Sequence, residues 1–437
     1  MGALFEKANA AVRLSSTIEL RGSVSDVTGL VIAGNGPFIP MGSNAVVRSG
    51  LMDVPAQVVG FRKENILLMP YGELQGIAPG ASITATATSS DVLASDALLG
   101  RVIDALGNPI DQLPPIVTGE LVPLYREPPN PVTRTRVDER FDLGVKALNS
   151  MLTVGCGQRI GIMAGSGVGK STLLGMIAKH SMSDVNVIAL VGERGREVRE
   201  FIERDLGPEG MKRSVVVVAT GNQSALLRIR AAYLATAIAE YFRDAGKKVV
   251  LMVDSVTRLA MAQREVGLAI GEPPSTRGYT PSVFAMLPKL LERAGTSSGK
   301  GSITGIYTVL VEGDDMNEPI ADATRGILDG HVVLSRRLAG KGHFPAIEVL
   351  ESVSRVMQDI VPEEVMAAAS QARDIVATYR EAEDLITIGA YKPGQNPRVD
   401  RAVQLIDQIN QFLKQRSTVK ATIEESWSEL IRIIGSA

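Results

Sequence analysis

Met163-Ala164-Gly165-Ser166-Gly167-Val168-Gly169-Lys170-Ser171-Thr172 decides how the rest of this chain is read. Its three alternate glycines tolerate φ angles closed to other residues, as a loop that wraps backbone N–H groups around a polyphosphate requires. Gly165, Ser166, Gly167, Val168, Gly169, Lys170, Ser171 and Thr172 are the expected phosphate-binding set. Lys170 reaches the β- and γ-phosphates, and the Ser171 hydroxyl ligates Mg²⁺. Ala164 stands where the strict pattern has glycine, and it fits if that residue keeps a negative φ. Arg159-Ile160-Gly161-Ile162-Met163 before the loop reads as a short buried strand, and Leu173, Leu174, Ile177 and Ala178 after it recur at helical spacing. Strand, glycine loop and helix is the order the chemistry needs, because the helix N-terminus then points at the phosphates. A merely flexible Gly/Ser turn has no need of those flanks.

Outward from the loop, 437 residues are too many for one ordinary domain and fit two or three. The composition is that of a soluble globular protein, and a net charge of −2 argues against wholesale binding to nucleic acid or an anionic membrane. The single cysteine, Cys156, excludes internal disulfides and reads as a small buried filler in a reducing compartment. No apolar run reaches the ~18 residues of a membrane span. The start of the sequence has no secretory signal, and Glu6 replaces the Ser or Thr of a myristoylation motif.

Three zones follow in order. In residues 1–15, Leu4, Phe5, Ala8 and Val12 line one side of a possible short helix, read either as a docking segment or as a frayed terminus. Between 16 and 92, β-branched stretches at 23–27, 45–47, 56–59, 66–69 and 83–86 alternate with Gly, Pro and Asn turns, as in a small β-barrel. Residues 1–95 hold six cationic against seven acidic side chains, so the barrel reads as an assembly collar without a nucleic-acid face. A connector with a proline-rich stretch covers 93–150. From 151 to about 359, apolar runs at 187–191, 215–219, 249–253, 303–311 and 332–334 alternate with amphipathic stretches, the pattern of a doubly wound α/β domain. Residues 360–437 read as helical, with Asn396-Pro397 as N-cap and first turn and Trp427 as core filler. The expected divisions are therefore 1–92, 93–359 and 360–437.

Three further residues belong with the loop. Asp254 ends an apolar strand, the place where a P-loop fold holds Mg²⁺, although a lone Asp there is also a common helix cap. Glu193, in Gly192-Glu193-Arg194-Gly195-Arg196-Glu197, comes from a strand tip expected beside the loop, where it can orient and deprotonate an attacking water. The local sequence reads equally well as a solvated Glu–Arg pair at a helix start. Arg355, in Glu351-Ser352-Val353-Ser354-Arg355, is one arginine among many, and local physics alone does not single it out.

With these residues the chain resembles the rotary-type ATPases, and within them the flagellar type III export ATPases. The stretches that carry the resemblance are 164–172, Gly192 to Val198, Asp254-Ser255-Val256-Thr257-Arg258, 271–279, Val311-Glu312-Gly313-Asp314-Asp315, 327–331, and Pro345-Ala346-Ile347-Glu348 followed by Ser352-Val353-Ser354-Arg355. Glu348 departs from the signature, which has Asp, Asn or His there. The resemblance implies a RecA-like P-loop NTPase core with an N-terminal β-barrel and a helical C-terminal domain. It implies hydrolysis of ATP with Mg²⁺, Glu193 as catalytic base, Arg194 as its neighbouring arginine, Arg355 as a finger into the next subunit's site, and Phe344 packed on adenine. It also implies a homohexameric ring at the cytoplasmic face of the inner membrane, a stator-like regulator dimer at the N-terminus, and contact with the export gate and with chaperone–substrate complexes. Virulence-type injectisome ATPases share almost all these motifs and form the alternative. A non-catalytic rotary subunit would lack the base at Glu193, and a hexameric RNA translocase would need a basic barrel.

Overall fold

A computed structural model of the chain describes residues 19–87 and 90–435. The amphipathic stretch at 1–15 lies outside the described residues. Two compact units emerge, one built mainly from the sequence up to residue 91, the other mainly from the sequence beyond it.

In the first unit, strands β1 (Arg21–Thr28), β2 (Val31–Asn35), β3 (Asn44–Ser49), β4 (Met52–Arg62), β5 (Asn65–Pro70) and β6 (Ser82–Ala87) close into a barrel of order β1-β2-β5-β4-β3-β6. Alternation does the sorting, as in β3, where Ala45 and Val47 turn inward between more accessible neighbours. Ile32, Val47, Ile66, Leu68 and Ile83 fill the interior. The sequence pattern pointed to five strands; β2, five residues long with a glycine, is the sixth.

The second unit is built on a nine-stranded sheet. Its strands in chain order are β7 (Val102–Asp104), β8 (Arg159–Ala164), β9 (Val185–Val191), β10 (Ser214–Ala219), β11 (Lys248–Asp254), β12 (Ser302–Leu310), β13 (Gly330–Leu334) and β14 (Val353–Ser354), with the short strand Gly295–Thr296 paired to β12. Their order across the sheet is β14-β13-β8-β12-β11-β9-β10-β7. The ladders from β13 to β7 are parallel, while β14 is an antiparallel edge. All residues of β9 and β10 are buried, which is why runs such as Val215–Val218 carry no alternation. The connector supplies an edge strand, β7, too short at three residues to be read as one from sequence.

Helices α1 (Lys170–His180), α2 (Ala225–Asp244), α3 (Val256–Ile270), α4 (Pro281–Leu291) and α5 (Pro319–Ile327) link these strands. Three more close the chain: α6 (Glu363–Thr387), α7 (Pro397–Leu413) and α8 (Ile423–Ile434). Asn396 caps α7 by accepting the Arg398 N–H at 3.0 Å, and a reciprocal Thr422–Glu425 box starts α8. Leu405, Ile409, Phe412 and Leu430 of these helices join one continuous core with Leu148, Ile162 and Leu174. Trp427 is buried and donates to the Asn149 carbonyl at 2.9 Å, and Cys156 is buried against the Ser302 hydroxyl. Among the described residues no helix is long and apolar enough to cross a membrane.

Candidate nucleotide site

Strand β8 lies inside the sheet, so the loop at its C-terminal end sits above the buried core. Gly167 and Gly169 hold φ of 77° and 93°, a region in which a side chain is strained. The turn they form delivers Lys170 as the first residue of α1, whose N-terminal N–H groups are free to face an anion. At Gly165 the constraint is contact, because a Cβ there would come within 2.7 Å of Arg336 Nε. Arg336 therefore lies flat against the loop, and it also pairs with Asp314 at 3.4 Å.

Lys170 is the centre of a partly buried charge cluster. Its Nζ stands 2.5 Å from Asp254 Oδ1 and 3.3 Å from Glu193 Oε1. Asp254 ends β11, separated from β8 by β12, and the intervening strand completes the geometry: Thr308 Oγ1 donates to Asp254 Oδ1 at 2.7 Å. Two strands separate β9 from β8, so Glu193 does not come from the adjacent strand tip. The Gly192-Glu193 turn carries it back to the lysine, its backbone held by the Gly192 N–H on Ala219 and the Gly221 N–H on the Glu193 carbonyl.

Electrostatics follow from this geometry. Burial works to lower the affinity of Lys170 for its proton, but Asp254 and then Glu193 outweigh it, and the ammonium is held above its ordinary value. At Glu193 burial dominates, pushing the carboxyl up to about 7 against the pull of Lys170, with the charge of Asp254 adding to the rise. A carboxylate poised there suits a general base at neutral pH. The donors also fit Mg²⁺, which takes one or two protein oxygens and completes its shell with water and substrate phosphates. Ser171 offers a hydroxyl in the first turn of α1 and Asp254 a single buried carboxylate. Among the described residues no group of three or more His, Cys, Asp or Glu could hold a metal by itself.

Phe344 lies over the loop, with ring atoms 3.5–3.6 Å from where a Gly169 Cβ would be. Together with Gly169, Thr172 and Leu173 it lines a cleft of about 770 Å³. The far wall is Gln411 and the segment 414–418, which local sequence gave no reason to choose. Gln415 ties that wall down: its backbone N–H donates to the Phe344 carbonyl at 2.9 Å, and its side chain accepts the Lys146 N–H and donates to Gly144 and Val419 carbonyls.

Two expected residues stand apart from the cluster. Arg194 projects outward with its side chain 84% exposed, 3.5 Å from Glu197. Arg355 follows the edge strand β14, on the opposite side of β8 from Asp254 and Glu193. It is exposed, and its guanidinium donates to the Arg325 carbonyl at 3.2 Å.

Comparison with known proteins identifies the family from the barrel to the C-terminal helices. Residues 24–87 match the beta-barrel domain of the ATP synthase alpha/beta family, 144–354 its nucleotide-binding domain, and 361–432 the type III secretion EscN ATPase C-terminal domain. The "Flagellum-specific ATP synthase" of Bacillus subtilis is 55% identical over 436 residues, covering 97% of this chain and 98% of its own. The assembled ATPase EscN from the enteropathogenic E. coli type III secretion system superposes with a TM-score of 0.90 at 44% identity, over 94% of this chain and 100% of that one. EscN in complex with its central stalk EscO gives 0.88 at 43% identity over the same shares. These matches run along nearly the full length of this chain and of the relatives, and the chain belongs to the ATP synthase alpha/beta family, in the branch of flagellum-specific ATP synthases and type III secretion ATPases.

Proposed function

We propose that the chain hydrolyses MgATP to energise flagellar type III protein export, at sites shared between identical copies in a six-membered ring. The observation that carries the reading is the split between the two halves of the machinery. Lys170, Asp254 and Glu193 converge, while Arg355 sits outward on the sheet edge. A head-to-tail ring brings one copy's edge arginine to the next copy's loop.

In this site the N–H groups of Gly165 to Thr172 and the Lys170 ammonium bind the phosphates, and Phe344 packs on adenine. Ser171 and Asp254 would hold Mg²⁺, which would offset the negative charge of the phosphates. Glu193 takes a proton from water as its oxygen attacks the γ-phosphorus and the bond to the β-phosphate oxygen breaks. Arg355 of the neighbour, with Arg194 beside the base, stabilises the charge that develops on the γ-oxygens.

The sequence divisions then take roles: 1–92 as regulator-docking segment and collar, 93–359 as motor, and 360–437 facing the export gate and its chaperone–substrate complexes. The ring works in the cytoplasm at the face of the inner membrane, and the EscN–EscO complex supports a stalk as a further partner. The flagellar reading is favoured over an injectisome by the 55% identity to the Bacillus relative over 97% of the chain, against 50% over 79% for an ATPase from the type III secretion system of pathogenic bacteria.

Mixing two inactive variants tests the shared site. Arg355→Ala keeps loop and base, and Lys170→Ala keeps the arginine, so co-assembled rings should regain ATPase activity. Recovery in no mixture would refute sharing. Restored swimming of a strain lacking its flagellar export ATPase, without rescue of injectisome secretion, checks the export assignment.

A further inference from the structure

Helix α6 carries Arg373 and Arg380 seven residues apart, two turns along one face. Both reach segment 348–352, the approach to β14 and Arg355. Arg380 Nη2 lies 2.7 Å from Glu348 Oε1 and 2.6 Å from Oε2. Glu348 is the residue that departs from the family signature, and its side chain is only 4% exposed. Arg373 is held differently. Its guanidinium donates to the carbonyls of Val349, Ser352 (3.2 Å) and Met151 (2.8 Å), with no carboxylate among those partners. A partly buried cation spent on three carbonyls fixes backbone, and burial depresses its pKa accordingly.

The segment is pinned from the sheet as well. Ser352 Oγ donates to the Glu348 carbonyl at 2.7 Å and accepts the Val333 N–H at 2.9 Å, and the Arg355 N–H reaches the Asp329 carbonyl at 3.0 Å. Strand β13 therefore holds one side of the arginine's mount and α6 the other. The sheet side is held by strand pairing, and on the α6 side the two arginines add polar ties to the apolar packing of Ala369 and Ala372 in the core that includes Val349.

We infer that Arg373 and Arg380 are positioning residues for Arg355, so that the seating of α6 in one subunit sets the reach of its arginine into the neighbouring subunit's site. This rests on the shared-site reading above. A displacement of about 1 Å at a reacting group costs up to about 10²-fold in rate. Arg373→Ala should therefore lower kcat by ~10–100-fold and leave KM for ATP within about twofold, since the phosphate loop keeps all its contacts. Arg373→Lys, which retains the charge and part of the donor set, should recover some of the loss.

Co-assembly separates positioning from general damage. Rings formed from full-length Arg373→Ala and Lys170→Ala chains should exceed both parents several-fold, because the first lends loop and base and the second a well-seated arginine. Rings of Arg373→Ala with Arg355→Ala should gain nothing. If Arg373→Ala fails to assemble, Arg380→Gln removes only the ion pair from α6 to Glu348, which keeps its 3.5 Å pair with Arg337, and the same mixtures are read. Wild-type turnover in the assembled variants overturns the inference, as does a flat Arg373→Ala/Lys170→Ala mixture beside a working Arg355→Ala/Lys170→Ala control. If that control fails, the shared-site reading is what has failed, and the inference falls with it.

Discussion

Lys170 and Arg355 are the two cations assigned to one reaction, and their surroundings are opposite. The lysine side chain is 12% exposed and held by two carboxylates that the same chain aims at it. The arginine is exposed, bonded to a main-chain carbonyl, and mounted on an edge strand. The roles proposed for the two residues account for the difference. A group that stays with its own nucleotide gains from being fixed before substrate arrives. A group that serves another subunit has to project, and its counter-charge comes from outside its own chain.

The comparison breaks most visibly at the loop. Lys170→Ala removes the one side-chain cation the loop supplies and leaves Asp254 with Thr308 in a buried position. Nucleotide binding should be abolished, as read by equilibrium titration with MgATP, with thermal unfolding as the control for fold. Near-normal affinity would mean the cluster is structural. Arg355→Ala should do the opposite: affinity is kept, and turnover falls by ~10³-fold or more, the range for loss of an arginine finger. Specific activity of the unmodified chain should also rise steeply with protein concentration. A flat dependence together with a mild Arg355→Ala would place the whole site in one subunit.

The two regions also differ in how far sequence discloses them. The loop, its strand and its helix are local, so glycine spacing and flanking apolar runs are enough. The valine runs of β10 and β11 read as strands because both faces are covered. Asp254 is legible from its place at a strand end. Glu193 is not settled that way, because two strands separate its own from β8 and only the fold carries it back. Arg355 entered through resemblance alone. Arg336, Thr308 and the wall at Gln411 and 414–418 leave no local trace in the sequence, for each acts through a partner distant in sequence. The strands β2 and β7 were too short to show a pattern.

Glu193 sharpens the comparison because its burial has a pH signature. Glu193→Gln keeps shape and hydrogen bonding but takes no proton, and should bind MgATP while turning over at least ~10²-fold slower. In the native chain the carboxyl is raised to about 7, so the active, deprotonated form dominates above that value and is lost below it. The kcat/KM of the native chain should fall about tenfold per pH unit on the acid side. The Gln variant should lack that limb. Lys170 is shifted upward and stays cationic throughout, so it contributes no limb. An acid limb that survives in Glu193→Gln assigns the titration to another group.

Phe344 should give the smallest effect, and the reason lies in how it is attached. Phe344 is 46% exposed and its ring lies against Gly169, so the contribution proposed for it is surface contact with the base. The tie to the C-terminal wall runs through its carbonyl, which accepts the Gln415 N–H whatever the side chain. Phe344→Ala thus removes stacking without releasing the wall. Stacking of a base on an aromatic ring is worth ~1–3 kcal/mol, and the exposed ring puts this site at about the lower end. One kcal/mol corresponds to roughly a fivefold rise in KM. The base binds alike in ground and transition states, so kcat should hold. Phe344→Tyr, which keeps the face, should restore KM. A fall in kcat with KM unchanged would instead tie Phe344 to the phosphate end of the site, through its contact with Gly169.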